Sequence, residues 1–585
     1  MHRLEEISIQ NYKSIENIEL KLTNYTPLVG YNNAGKSNIL EAINWFLKPS
    51  KLYDKDFYDG RGEEELIIEG KISGLDDSIL EKIAEKHRDR ILEHLEDEEI
   101  TVRRIMDGPG NASTAELEIW NPDDEEWVKN PTGIDNAIKD LFPEPIFMRA
   151  MEDAYEDIGK SKRSNTIGKL LAEITKPIAE NNEELIKETL GKIENLFSAS
   201  GDERVDELQE VESDFNKVIK SFFPGIKLKV HVPPPTIDDL FKSGTVQISE
   251  GKDGLNRDFE SVGHGAQRSI QMALVKYLSE LDSSDDESGS RKFLLIEEPE
   301  LYLHPQAITY LSTALKKLSN AAYQVVFATH SPIMISPNDV GKTALIRKKE
   351  GVGTYRNNTL NEALNDLKAD MGIADKLFRL DNSSQLLFSD EVVLIEGKTE
   401  RKLIPKIFES HFDLSEFQTK VGFIDIGGAP AVGNATSILE SMGIKPKVLV
   451  DLDYCFNCSI DHGYLEKDNK YYLEGIDIII ELTEELDLDI PDDWPNNGKL
   501  GAEIYEKIAS NSERFKEVIS ELHLNLKDQG VWFWQEGAIE IPLGIDCKTS
   551  RAREKFINDM YKDGLEEIVD EYNSVVQFFD WLLEE

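Results

Sequence analysis

At 585 residues, 40% hydrophobic and 30% charged, the chain is too long for one ordinary core; domain-size priors divide it into about three or four modules. The formal net charge of −46 excludes a protein that coats a polyanion, because duplex binding rests on neutralising phosphates with Lys and Arg. No apolar run approaches the ~20 residues of a membrane helix, and the opening MHRLEEISIQ is too acidic, with too short an apolar stretch, for a signal peptide. The expectation is therefore a cytoplasmic protein with no membrane partner; were a nucleic acid its partner, contact would be confined to local basic patches or bridged by metal ions.

Residues 4–9 and 18–22 alternate apolar and polar side chains around Asn11-Tyr-Lys-Ser14, the pattern of a hairpin, and lead to a short strand at 27–29. Residues 30–37 read GYNNAGKS, and 37–47 have helical periodicity, so the order is strand, loop, helix. That context and the Gly-x4-Gly-Lys-Ser spacing match a phosphate loop. Gly35 and its neighbours let successive N–H groups turn toward phosphates at a helix N-terminus. Lys36 is expected to reach the β- and γ-phosphates of ATP and Ser37 to offer its hydroxyl to Mg²⁺, with Asn32, Asn33 and Asn38 completing the nucleotide-binding set.

Strands are expected at 66–72, 100–105 and 115–120, the last two joined by the turn signal Asp107-Gly-Pro-Gly110, with 76–98 as a charged helical excursion. Residues 164–222 are polar and helix-forming, with apolar residues at three and four spacing and one break at 198–201. This reads as an antiparallel helical pair inserted between two halves of a sheet domain, serving as a solvated arm or a dimerisation element. Strand pattern returns at 226–232 and 245–249, on either side of Pro233-Pro-Pro235.

Residues 261–268 (SVGHGAQR) enter an apolar helix at 270–278; Gly263, Gly265, Gln267 and Arg268 at its start form a second anion-binding surface. After an acidic, serine-rich loop at 281–291, the apolar run 293–296 reads as a buried parallel strand ending in Glu297-Glu-Pro-Glu300. Carboxylates at such a strand end sit where nucleotides bind in open α/β sheets. Glu297 is expected to hold Mg²⁺ through water and Glu298 to polarise the attacking water. A second buried strand at 324–328 ends in Thr329-His-Ser331, placing His330 to reach the γ-phosphate.

A mostly helical segment at 359–389 links to a second α/β pattern beginning near Glu391. Strand 391–395 ends at Glu396, with Glu400 four residues on in a helix spanning about 400–408. Strand 421–426 precedes Gly427-Gly428, and strand 447–450 ends in Asp451-Leu-Asp453, where alternation puts both aspartates on one side. Clustered carboxylates suit Mg²⁺ or Mn²⁺, and two such ions would activate a water and stabilise the leaving oxygen of a phosphodiester. The cysteines Cys455, Cys458 and Cys547 are too few for a disulfide framework. Cys455 and Cys458 have zinc-knuckle or redox spacing with His462 nearby, yet a second ligand pair is missing unless Cys547 approaches; free thiols are expected.

The order of phosphate loop, residues 261–268, Glu-Glu-Pro-Glu, Leu303-His-Pro305 and Thr-His-Ser resembles the ABC ATPases, with the signature motif in the divergent form of the overcoming-lysogenisation-defect (OLD) nucleases. The later order of Glu-Gly-x-x-Glu, Gly and Asp-x-Asp resembles the Toprim fold of topoisomerases, primases and the same nucleases. No convincing Gln loop is found; residues 145–150 (PIFMRA) occupy its place. The resemblance implies an α/β protein: an N-terminal ABC/SMC-like P-loop ATPase (1–163 and 223–385) with an inserted, dimerising helical arm (164–222), and a C-terminal Toprim Rossmann-like domain (386–585). It implies ATP and Mg²⁺ at the first site, two divalent ions on Glu396, Glu400, Asp451, Asp453 and Glu540 at the second, and assistance from Lys548, Lys555 or Lys562. Because the signature of one ABC subunit closes on the nucleotide of another, it implies a homodimer or higher even oligomer. The implied activity is ATP-regulated DNA cleavage, as in the nuclease subunit of the Gabija antiphage system, with a helicase or other defence protein encoded nearby as a partner. The alternative is a RecF-like repair scaffold with a non-cutting Toprim domain, against which the four intact carboxylates argue.

Overall fold

Alternation in the first twenty residues yields a hairpin: strand Arg3–Tyr12 returns as Ile15–Lys21, with Asn11 and Lys13 taking the left-handed conformation at the reversal (φ 57° and 52°). Asn11 is buried because it has work for all its polar atoms. Its amide donates to the carbonyls of Arg61 and Glu64 at 3.2 and 2.9 Å and accepts from Tyr58 N–H at 3.0 Å. The computed structural model describes residues 2–129, 131–150, 166–199, 203–223, 225–232, 246–249, 256–281, 291–367, 385–389, 391–412, 420–491, 494–495, 499–545 and 549–584. These fall into two compact units, Met1–Thr26 with Ser37–Thr329, and Pro27–Lys36 with His330–Glu585.

In the first unit the hairpin extends into an antiparallel run: Ile15–Lys21, Arg3–Tyr12, Leu66–Ser73, Ile100–Met106, Glu116–Asn121 and Glu126–Lys129. Burial alternates along these strands, as expected of a sheet with one covered face. The helix Lys36–Leu47 covers that face closely: a Cβ on Gly70 would stand 2.7 Å from the Phe46 ring. A parallel set follows the order Ile146–Met148, Lys292–Glu297, Tyr323–Thr329. Its latter two strands are buried nearly throughout, the pattern of parallel strands with neither face open to water. The connecting helix Pro305–Ser319 begins with His304 as cap and Pro305 in the first turn, and buries Ile308, Leu311, Leu315 and Leu318 on one stripe.

Two expectations for the helical region are corrected. The segment forms three helices rather than a pair, Thr166–Asn181, Glu183–Phe197 and Asp206–Phe222, because Asn182 leaves helical geometry (φ −119°, ψ 17°). Residues 226–232 form no strand. Their backbone is satisfied by side chains on and just before the last helix instead: Leu228 N–H donates to Asn216 at 2.8 Å, Val230 N–H to Glu212 at 2.5 Å, and Arg204, two residues ahead of the helix, to the Val230 carbonyl at 2.6 Å. Pro233–Pro235, Thr245 and 282–290 lie outside the described residues; Gln247–Ser249 is a strand, as expected. Val211, Phe215, Val218 and Phe222, at helical spacing on Asp206–Phe222, are each roughly half to three-quarters exposed.

In the second unit, Leu28 and Val29, the end of the strand Tyr25–Val29, pair in parallel with Ala344 and Leu345 of Ala344–Lys349, which turns back as Gly353–Arg356. A separate parallel sheet has the order Val421–Asp425, Glu391–Ile395, Lys447–Val450, Val531–Phe533. Helices Lys398–Phe412, Val432–Ser441, Ser550–Asp563 and Tyr572–Leu583 flank it, around a core that includes Val393, Phe408, Phe423, Trp532, Trp534 and Phe578. The second α/β pattern thus begins where expected. Among the described residues no helix is long and apolar enough to cross a membrane.

Candidate functional site

The phosphate loop leaves its strand at Gly30, where the backbone has no room for a side chain: a Cβ would lie 2.2 Å from the Ile346 carbonyl oxygen. Asn33 (φ 66°) and Gly35 (φ 101°) then curl the chain through left-handed conformations. Lys36 is buried, and its ammonium donates to the carbonyls of Gly30 (2.8 Å) and Tyr31 (3.0 Å), which holds it across the mouth of the loop. Thr354 Oγ1 donates to the Ala34 carbonyl at 3.0 Å and braces the far side. Asn32, Asn33 and Ser37 are exposed, while Asn38 donates to Ser14 Oγ at 2.7 Å.

Glu297 and Glu298 end the buried strand Lys292–Glu297. Glu297 accepts from the Ala150 N–H at 3.0 Å. Glu298 turns into the left-handed region (φ 43°) with its N–H on the Ala328 carbonyl at 2.8 Å. Arg268 is 3% exposed and serves its own chain: its guanidinium donates to the carbonyls of Glu297, Glu298 (3.0 Å) and Arg149 (3.1 Å), and so tethers the strand end. Gln267 likewise turns back, to the Val262 carbonyl at 2.9 Å. Gly263 is exposed with open space where a Cβ would stand, and Gly265 faces Tyr302. His330, half-buried, follows Thr329, whose hydroxyl donates to Glu300 at 2.8 Å. Ala150 and Arg149 were missed as functional neighbours: a backbone N–H has no sequence signature, and residues 145–150 stood out only by position. Arg149 also pairs with Glu41 at 2.8 Å, which Lys13 contacts as well.

The later carboxylates gather at the C-terminal ends of neighbouring parallel strands. Glu396 accepts from the Asp451 N–H at 3.3 Å. Glu400 is 6% exposed in the first turn of Lys398–Phe412, with its carboxylate close against Gly397. Asp451, also buried, accepts from the Ile539 N–H at 3.2 Å, and Leu452 N–H donates to the Gly537 carbonyl at 3.0 Å. These bonds pin residues 537–539 to the strand end and bring the buried Glu540 with them. The aspartates are not placed by strand alternation, however: Leu452 is already helical (φ −56°, ψ −35°), and Asp453 opens the helix Asp453–Asn457 with its carboxylate on Asn457 at 3.2 Å.

An all-oxygen donor set on strand ends fits hard divalent cations. Among the described residues no three His, Cys, Asp or Glu side chains are grouped closely enough to hold a metal ion. Lys555 and Lys562 are exposed on Ser550–Asp563, Lys562 beside Asp563 at 3.0 Å; Lys548 and Cys547 lie outside the described residues. Cys455 and Cys458 are buried free thiols. Burial raises both, and Lys499, 3.1 Å from Cys458 Sγ, opposes the rise there.

The family model described as "AAA ATPase domain" matches residues 3–146 and 136–335, and that described as "Overcoming lysogenization defect protein-like, TOPRIM domain" matches 387–453. The chain is 34% identical over 600 residues to the Old nuclease of Escherichia phage P2, spanning 99% of this chain and 100% of that one. Endonuclease GajA of Bacillus cereus (strain VD045) is 23% identical over 529 residues, covering 84% and 82% of the two chains. The OLD nuclease of Thermus scotoductus (strain ATCC 700910 / SA-01) is 22% identical over 474 residues, covering 77% and 82%. With an ATPase domain followed by a Toprim domain and a full-length relative at this identity, the chain belongs to the overcoming-lysogenization-defect (Old) nuclease family.

Proposed function

We propose that this chain is an ATP-regulated, divalent-metal-dependent DNA endonuclease of antiphage defence, cutting with the carboxylates of its second unit. The observation that carries the reading is the strand-end cluster in which Asp451 is tied through its N–H to Glu396 and through its carboxylate to Ile539, beside buried Glu400 and Glu540. Glu396, Glu400, Asp451, Asp453 and Glu540 would hold two Mg²⁺ or Mn²⁺ ions, which when bound supply a polarised water and neutralise charge on the leaving oxygen. The chain's own contribution is orientation: backbone N–H groups fix Glu396 and Asp451, and burial shields Glu400 and Glu540 from competing solvent. In a chain of net charge −46, cations at this cluster also give DNA phosphates a place to approach.

In the ATPase part, Lys36 and Ser37 bind the phosphates and Mg²⁺ of ATP, with Asn32, Asn33, Gly35 and Asn38 around them. Glu297, Glu298 and His330 are assigned to hydrolysis. Gly263, Gly265 and Gln267 are assigned to a neighbouring subunit's nucleotide, and Arg268, given its burial, to holding Glu297 and Glu298. The exposed row Val211, Phe215, Val218 and Phe222 supports residues 164–222 as the dimerising insertion between ATPase segments 1–163 and 223–385, ahead of a Toprim domain at 386–585. A cytoplasmic location and a defence protein encoded nearby complete the reading.

The test is plasmid nicking with Mg²⁺ or Mn²⁺, with and without ATP. Wild type is expected to cut, Glu396→Ala to lose cutting by about a hundredfold or more, and Lys36→Ala to retain it while losing ATP control. Uncut plasmid with DNA-stimulated ATP hydrolysis intact would instead favour the scaffold.

A further inference from the structure

The phosphate loop lies in the same compact unit as the Toprim sheet, and a short series of contacts joins them. Lys36 donates its ammonium to the carbonyl of Tyr31 at 3.0 Å. The Tyr31 hydroxyl is clasped by strand Ala344–Lys349: it accepts from Lys348 N–H at 2.7 Å and donates to the Lys348 carbonyl. Two cations lie over the Tyr31 ring, Arg347 at 5.8 Å and Lys420 at 5.6 Å from its centroid, within cation–π range.

Both cations are anchored at the start of Toprim strands. Arg347 donates to the Ser389 carbonyl at 3.2 Å, two residues before Glu391–Ile395 begins. Its other nitrogen meets the Ile346 carbonyl at 3.3 Å, the same oxygen against which Gly30 packs. Lys420, in the left-handed region (φ 56°), immediately precedes Val421–Asp425, and its carbonyl accepts from Glu391 N–H at 3.3 Å. The two strands are paired in parallel register from Glu391↔Val421 to Ile395↔Asp425. A strand is a stiff element, and this one carries a shift at its start to Glu396 at its end, roughly 17 Å away.

We infer that Tyr31, in contact with both Arg347 and Lys420, is the positioning residue through which nucleotide at the phosphate loop acts on the carboxylate site of the same chain. The inference rests on the reading of Lys36 as a phosphate ligand and of Glu396 as a nuclease carboxylate. Phosphate oxygens compete with the Tyr31 carbonyl for the Lys36 ammonium. The Tyr31 peptide then has one set of partners when the loop is empty and another when it is filled, and a ligand shifts an equilibrium only through such a difference. The ring transmits that difference to the two cations, and they transmit it to Ser389 and Glu391.

The experiment is hydrogen exchange by mass spectrometry on the full chain, with and without a saturating non-hydrolysable ATP analogue, followed in peptides covering 389–396 and 420–426. Wild type is expected to change exchange in both peptides. Arg347→Gln and Lys420→Gln are expected to bind the analogue within about threefold of wild type and to lose the change, and Tyr31→Phe, which keeps the ring and drops the hydroxyl, to weaken it. No change in wild type, a change that persists in the Arg347→Gln/Lys420→Gln double variant, or a tenfold loss of analogue binding in either single variant, overturns the inference. Plasmid nicking in the same preparations separates the two readings: the exchange response without any cutting defeats the nuclease assignment and leaves the relay standing.

Discussion

Arg268→Met keeps much of the side chain's length and removes its guanidinium, which decides whether Arg268 acts within its own chain or on a neighbour's nucleotide. The native group, 3% exposed, donates to carbonyls of Glu297, Glu298 and Arg149 and meets Gln271 Oε1 at 3.3 Å. Hydrogen bonds from a charged donor contribute about 1.5–3 kcal/mol each, and a buried carbonyl left without its partner costs about 1–3 kcal/mol. Against this stands the desolvation of the guanidinium, several kcal/mol, from which methionine is exempt. The expected net loss is about 3 kcal/mol, or a fall in Tm of roughly 5 °C for a unit of this size. Calorimetry of the full chain should show that fall in one transition, and ATP turnover should drop with it, because Glu297 and Glu298 lose their tether. Mixing supplies the sharper assay. A wild-type Tm in Arg268→Met, together with ATP turnover restored by mixing it with Lys36→Ala, would show that Arg268 works across subunits and would refute the reasoning.

Burial holds His2 and His523 at about 4, below their ordinary value of 6.5, and the His523 ring nitrogen Nδ1 donates to the Phe533 carbonyl at 3.0 Å. Since the unfolded chain takes up these protons first, the stability they contribute is complete above pH 6.5 and is lost as pH falls to about 4, by about 3 kcal/mol each. Urea midpoints across that window should fall less steeply in His523→Gln than in wild type; parallel curves would sink this account. At the phosphate loop, Gly30→Ala places a Cβ 2.2 Å from the Ile346 oxygen and 3.2 Å from its carbon, both backbone atoms that cannot swing aside. Binding of a fluorescent ATP analogue should weaken by more than about tenfold, and an unchanged affinity would show that the loop has slack there.

What could be read in the sequence follows from where the determining interactions lie. The phosphate loop and both strand-end acid clusters were legible because local order fixes them: an apolar run, then glycine or carboxylate, then helical periodicity. Residues 226–232 alternate like a strand but pair with Asn216 and Glu212, and no local pattern says whether an extended segment meets a strand or a helix side chain. The break at Asn182 falls within continuous helical periodicity and turns on one residue's backbone angles. Strand alternation would place Asp451 and Asp453 on one side, yet the chain becomes helical at Leu452, so the two aspartates are arranged by a helix start that no alternation pattern describes. The support of Glu297 by Ala150 and Arg268 joins positions 147 and 29 apart in sequence through backbone groups, which leave no mark on residue identity.

The chain passes between its two compact units after Thr26, after Lys36 and after Thr329. A single cut at any point therefore cannot release both units whole. A fragment beginning at His330 would keep Ala344–Lys349 but lack Leu28 and Val29, leaving the backbone groups they pair with bare along an open edge. The same threading bears on inheritance. Recombination at one junction cannot transplant the second unit intact into another gene, since ten of its residues, Pro27–Lys36, are encoded near the opposite end.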